Sequence, residues 1–113
     1  MVEQIARIQI IVGVPHTHLY ALLEAIAAAG AGQLGEYTHC SYASDGVGRF
    51  KPSAAANPAL GERETINEVP EIRVETICER AKVKQVVAAI RAAHPYEEPM
   101  LYLIPLLSEA DFE

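Results

Sequence analysis

The sequence predicts an α+β fold of the ferredoxin-like β-α-β-β-α-β type: a four-stranded antiparallel sheet carrying two helices on one face. Three observations carry this. Two separated segments repeat apolar residues at helical spacing, and β-branched or alternating runs precede, separate and follow them. Each helical segment has a single apolar stripe, and one sheet with both helices on the same face buries the two stripes most simply. The 113 residues fit a single domain, with a core over about 4–107 and an acidic tail at 108–113.

The elements follow in order. Residues 4–13 form a β-branched run of Ile5, Ile8, Ile10, Ile11 and Val12 that stops at Gly13 and Pro15, the composition of a strand with a buried face. Leu19, Leu22, Leu23 and Ile26 then fall at i, i+3, i+4, i+7 spacing, with Thr17 placed to cap the helix and Gly30 to end it. Strands at 37–44 and 47–50 flank Asp45-Gly46, a dipeptide favoured in type I′ hairpins because both central residues need positive φ. Residues 64–67 and 72–79 supply further strand material, interrupted at Pro70. A second stripe of Val83, Val86, Val87 and Ile90 predicts another helix, blocked by Pro95 just after His94. Residues 100–106 make the last strand. Between the middle strands, residues 52–63 form a loop of a length that is either functional or mobile, and Glu109, Asp111 and Glu113 belong to a frayed end.

Composition narrows the function classes. Half the residues are hydrophobic and about a fifth are charged, a balance that buries a core. A net charge of -6 without a basic cluster argues against nucleic acid as a partner, because such binding draws its affinity from clustered Lys and Arg. The apolar stretches at 10–14 and 101–107 fall far short of the roughly 20 residues a membrane span needs. Glu3 and Arg7 interrupt any signal-peptide apolar region, so a cytoplasmic protein is expected, with Cys40 and Cys78 as free buried thiols.

Several motifs invite chemistry. Gly30, Gly32 and Gly35 satisfy G-x-G-x-x-G, but the string follows a helix instead of a strand, which makes it a helix end and a sharp entry into the next strand. His94-Pro95-Tyr96-Glu97-Glu98-Pro99 joins a histidine to two carboxylates. Adjacent Glu97 and Glu98 in an extended segment point to opposite sides and cannot both converge on one atom, so a rigid turn fits the hexapeptide better. His94 is expected at a helix end, its charged form favoured by the helix dipole. His16 and His18 share a face if extended, and His39 with Cys40 adds soft ligands, yet no recurring pair of zinc type exists. Alternation with Tyr42 makes Cys40 a small buried hydrophobe on a strand. Ser41, His39 and Asp45 lack the surroundings of a nucleophile elbow.

Three strings carry a family resemblance: Gly30-Ala31-Gly32 before Gly35-Glu36-Tyr37-Thr38-His39-Cys40; Gly46-Val47-Gly48-Arg49-Phe50-Lys51-Pro52, followed by Asn57-Pro58 and Leu60-Gly61-Glu62; and the 94–99 hexapeptide. Over residues 4–106 the chain resembles the middle, inserted domain of the Nif-three-like dinuclear-metal proteins. The resemblance implies a relative of the CutA and PII proteins, which build trimers by joining sheet edges, and it implies that the family's metal ligands lie in two flanking halves outside these strings. A small oligomeric binding or regulatory module is the first expectation, rather than an enzyme, since no catalytic constellation stands out; a homo-trimer and a small-molecule or protein partner go with it. Its ligand or partner site would use Tyr37, Cys40, Arg49, Phe50, Asn57, Glu62, His94, Tyr96, Glu97 and Glu98. The alternatives are a CutA-like divalent-cation binder using His16, His18, His39 or Glu98, and a metal-dependent hydrolase of a nucleotide-like molecule, as the cyclohydrolase-like activity of full-length relatives implies. No tightly held cofactor is expected; a weakly bound divalent cation is compatible with the histidines.

Overall fold

A computed structural model describes residues 5–113; Glu3 and Gln4, on which the signal-peptide argument and the start of the first strand partly rest, lie outside the described residues. The elements are β1 (Arg7–Pro15), a 3-10 turn (His16–His18), α1 (Leu19–Ala28), β2 (Tyr42–Phe50), β3 (Asn67–Glu79), a second 3-10 turn (Arg80–Lys82), α2 (Val83–Ala93), β4 (Leu101–Leu106) and a terminal 3-10 turn (Glu109–Asp111). The four strands form one antiparallel sheet in the order β2-β3-β1-β4, so the ferredoxin-like topology is present.

Strand pleating explains the core. Alternate residues Ile8, Ile10, Val12 and Val14 of β1 share a face with Ile72, Val74 and Cys78 of β3, and all are buried with Leu22 and Ile26 of α1 and Val86 and Ile90 of α2. Leu19, Leu23 and Val83 pack at its margin, so both helical stripes face the sheet. Burial pushes the Cys78 thiol above its ordinary value, with the neighbouring Glu79 adding to the shift. Gly30 ends α1 as expected: with φ at 108° its N–H donates to Ala27 O, while Ala31 N–H donates to Ile26 O. These two bonds make a Schellman cap. None of the helices among the described residues is long and apolar enough to cross a membrane.

Several local expectations are corrected. Asp45-Gly46 is not a hairpin turn: β2 runs straight through it, pairing Asp45 with Ile72 and Gly46 with Glu71, and Gly46 does not adopt positive φ. The turn signal lost to a strand in which one glycine, Gly48, admits the Glu71 side chain. β3 likewise runs through Pro70, which pairs with Val47 beyond the last β1 partner, Glu71; there the strand has a sheet neighbour on one side only and tolerates a missing N–H. Thr17 does not cap α1; its hydroxyl meets His18 Nδ1 at 2.8 Å. Cys40 and Tyr37 precede β2, so Cys40 is only partly buried and Tyr37 is exposed. The tail is not simply frayed, since Ser108 and Asp111 form a reciprocal capping box. The loop at 51–66 is tied down by polar bonds: Asn67 Oδ1 accepts from Glu62 N–H at 3.0 Å, and its Nδ2 donates to the Glu62 and Thr65 carbonyls.

Candidate functional site

Pro95 cannot continue α2, so His94 leaves the helix in extended geometry and its ring turns toward β1. There Nε2 meets Gly13 O at 2.6 Å, and Nδ1 accepts the Tyr96 N–H at 3.1 Å. The second bond requires a bare Nδ1, which places the single ring proton on Nε2, donating to the carbonyl. Burial pushes His94 below its ordinary value; the Gly13 carbonyl and the Glu71 carboxylate oppose that shift, and His18 adds to it. His94 is therefore a neutral, buried brace, which corrects the expectation of a charged residue favoured by the helix dipole: it sits in the core margin, not in solvent.

Gly13 anchors the other end of the same segment, its N–H donating to Met100 O at 3.1 Å. Between these anchors Tyr96 donates its hydroxyl to Glu71 Oε2 at 2.9 Å, and burial followed by this bond raises the phenol well above its ordinary value. Its ring lies 4.9 Å from the His94 ring and 6.3 Å from that of Phe50. Glu71 is the member of this group that no sequence motif marks. Its carboxylate occupies space that two glycines leave bare: a Cβ on Gly48 would come within 2.6 Å of Oε2, and one on Gly13 within 2.8 Å of Oε1. Glycines inside strands are the available sign of such a close approach.

Of these groups, Gly48, Phe50, Glu71 and Tyr96 border a cleft of about 590 Å³. Phe50, Glu71, Tyr96 and Tyr102 line it together with Glu97 and Glu98, and Pro52, Ala56, Pro58 and Leu60 of the long loop form another wall. The loop is joined to the hexapeptide by Asn57 N–H donating to Glu97 Oε1 at 2.9 Å. Arg49 and Lys51 also border the cleft, Arg49 lying 3.8 Å from Glu68 in an exposed ion pair.

Of the residues expected at a site, Arg49, Phe50, Tyr96, Glu97 and Glu98 are thus brought together, His94 supports them, Asn57 latches the wall and Glu62 holds the loop. Tyr37 and Cys40 do not line the cleft; Cys40 borders a smaller one of about 130 Å³ with His39 and Glu24. The metal candidates are scattered. His16 lies 3.9 Å from Asp45, His39 lies 3.7 Å from Glu24, and His18 is engaged by Thr17. Among the described residues no three His, Cys, Asp or Glu side chains are grouped to hold a metal ion, so they do not fit a dinuclear centre.

Comparison with known proteins places this geometry in context. No family model matches the chain. Over 103 residues it is 42% identical to the Halalkalibacterium halodurans protein named GTP cyclohydrolase 1 type 2 homolog, a match covering 91% of this chain and 28% of that protein. A crystal structure of a Bacillus cereus protein related to NIF3 superposes with a TM-score of 0.79 at 35% identity, covering 92% of this chain and 26% of the other. The periplasmic divalent cation tolerance protein CutA from Archaeoglobus fulgidus superposes at 0.66 with 15% identity, covering 90% of this chain and 85% of its own, a likeness of fold alone. The chain spans about a quarter of the length of the curated relatives it matches.

Proposed function

Since the chain belongs to the NIF3 family, corresponding to about a quarter of the length of its curated relatives, we propose that it is a small oligomeric binding or regulatory module whose cleft receives a ligand or partner. The observation that carries this is convergence. The middle string, with Phe50 and Asn57, and the hexapeptide, with Tyr96 and Glu97, lie about 40 residues apart in sequence, yet they meet at one cleft through the Phe50–Tyr96 ring contact and the bond from the Asn57 amide to the Glu97 carboxylate. A volume of about 590 Å³, aromatic walls and a few fixed polar groups suit a small molecule or an inserted side chain. The name of the curated relatives makes nucleotides the first class to screen, and the CutA likeness adds divalent cations. Assembly into a trimer is part of the same proposal, supported by two sheet edges, β2 and β4, that have no outer neighbour among the described residues. The cytoplasm is the compartment proposed, on the unpaired thiols of Cys40 and Cys78.

The test is a thermal-shift screen of nucleotides and divalent cations against the natural chain and Phe50→Ala. A compound that binds the native state raises the midpoint. The expected result is a compound that stabilises the natural chain and loses that effect in Phe50→Ala. Stabilisation identical in both would place binding away from this cleft and sink the proposal.

A further inference from the structure

Given a binding role for the cleft, on which the inference rests, its side chains favour one class of ligand. Its floor is the Glu71 carboxylate, half-buried and laid against the bare backbone of Gly48 and Gly13. A carboxylate offers about four acceptor positions, of which the Tyr96 hydroxyl takes one. Among the described residues Glu71 makes no ion pair, whereas the nearby Arg49 charge is already met by Glu68. Glu97 spends one oxygen on the Asn57 amide, and Glu98 adds a further carboxylate at the exposed margin. Phe50, Tyr96 and Tyr102 present ring surface in the same cleft.

A ligand matching this set carries parallel N–H donors in a flat, cationic group that can stack on an aromatic ring. Guanidinium has that form: it pairs with a carboxylate through two N–H bonds and packs on aromatic faces, whereas an ammonium offers neither the fork nor the plane. Lys51 is the other cation bordering the cleft; it is exposed, and solvent reduces its repulsion. We propose that the cleft binds a guanidinium group, with Glu71 as the acceptor and Phe50, Tyr96 and Tyr102 as the aromatic lining.

N-acetyl-L-arginine amide is the probe, titrated into ¹⁵N-labelled protein and followed by amide chemical shifts, with N-acetyl-L-lysine amide and GTP titrated in parallel. Shifts at Gly48, Glu71 and Tyr96 are expected with the arginine probe, at an affinity at least several-fold above that for lysine. Glu71→Gln, which keeps the shape and removes the charge, should weaken arginine binding about tenfold or more while leaving the remaining amide spectrum native. Equal response to lysine and arginine, or undiminished binding by a folded Glu71→Gln variant, overturns the inference. Cleft shifts with GTP and none with arginine overturn it while leaving the binding role of the cleft standing. Silence from all three probes counts against the guanidinium proposal, and the separate Phe50→Ala screen then decides whether the cleft binds anything.

Discussion

Buried histidines commonly sense acid, and His94 has the geometry to do so, because its bare Nδ1 accepts the Tyr96 amide and a second ring proton has nowhere to go. Burial holds its folded value below the ordinary 6.5. Above about pH 6.5 the residue is neutral in folded and unfolded chains alike, and its contribution to stability is complete. Below that, the unfolded chain takes up a proton that the folded chain resists, so stability falls with pH until folded His94 itself titrates. Urea unfolding of the natural chain and of His94→Ala from pH 8 to pH 5 checks this. At pH 8 the variant should be less stable by about 1 to 3 kcal/mol, the usual cost of leaving the buried Gly13 carbonyl without its donor. The difference should shrink toward pH 5, and a constant difference would show that His94 does not titrate between the two states.

Glycine had two possible meanings in β2, and the difference is measurable at the scale of the element. If Asp45-Gly46 were a type I′ turn, a β-branched residue at position 46 would force positive φ on a side chain that resists it, at about 1 to 2 kcal/mol. In the strand, a Cβ there meets only the Glu71 carbonyl oxygen at 3.9 Å, an ordinary contact. Gly46→Thr should therefore leave stability unchanged or raise it by up to about 1 kcal/mol, as read from the urea midpoint. A loss larger than that would reinstate the hairpin. The helices were legible in advance because an amphipathic stripe is a local, periodic property: Leu22, Ile26, Val86 and Ile90 lie buried where their spacing places them. The strand at 42–50 was not, because its partner begins 17 residues later at Asn67, and the intervening loop hides the pairing that overrides a two-residue turn signal. The site divided in the same way. Phe50, Tyr96 and Glu97 belong to recognisable strings, but Glu71 acquires its place only when β3 is laid beside Gly48 and Gly13.

At the scale of the molecule, the sheet leaves β2 and β4 with one neighbour each among the described residues. Natural edges are defended by charge, shortness, bulges or cover. β4 has none of the first defence: its six residues, Leu101–Leu106, carry no charge, and Tyr102, Leu103 and Ile104 are 53%, 46% and 38% exposed. Pro105 removes one donor but leaves the rest of the strand able to pair. β2 offers a nine-residue edge with Asp45 and Arg49 as its only charged side chains. Joining one copy's β4 to another's β2 would be a heterologous contact, and such contacts either close into a ring or run on as a filament. A closed ring, the proposed trimer among them, satisfies both edges of every copy, whereas an isologous dimer through one edge leaves the other edge open. Light scattering across a range of concentrations should therefore give the mass of three chains or a multiple of three. Ile104→Lys, which places a charge on the apolar edge strand without entering the helix-packed core, should shift the population toward monomer, with circular dichroism confirming that the chain stays folded. A concentration-independent monomer of the natural chain would mean that these edges are tolerated in water, and edge-to-edge assembly would fall with it.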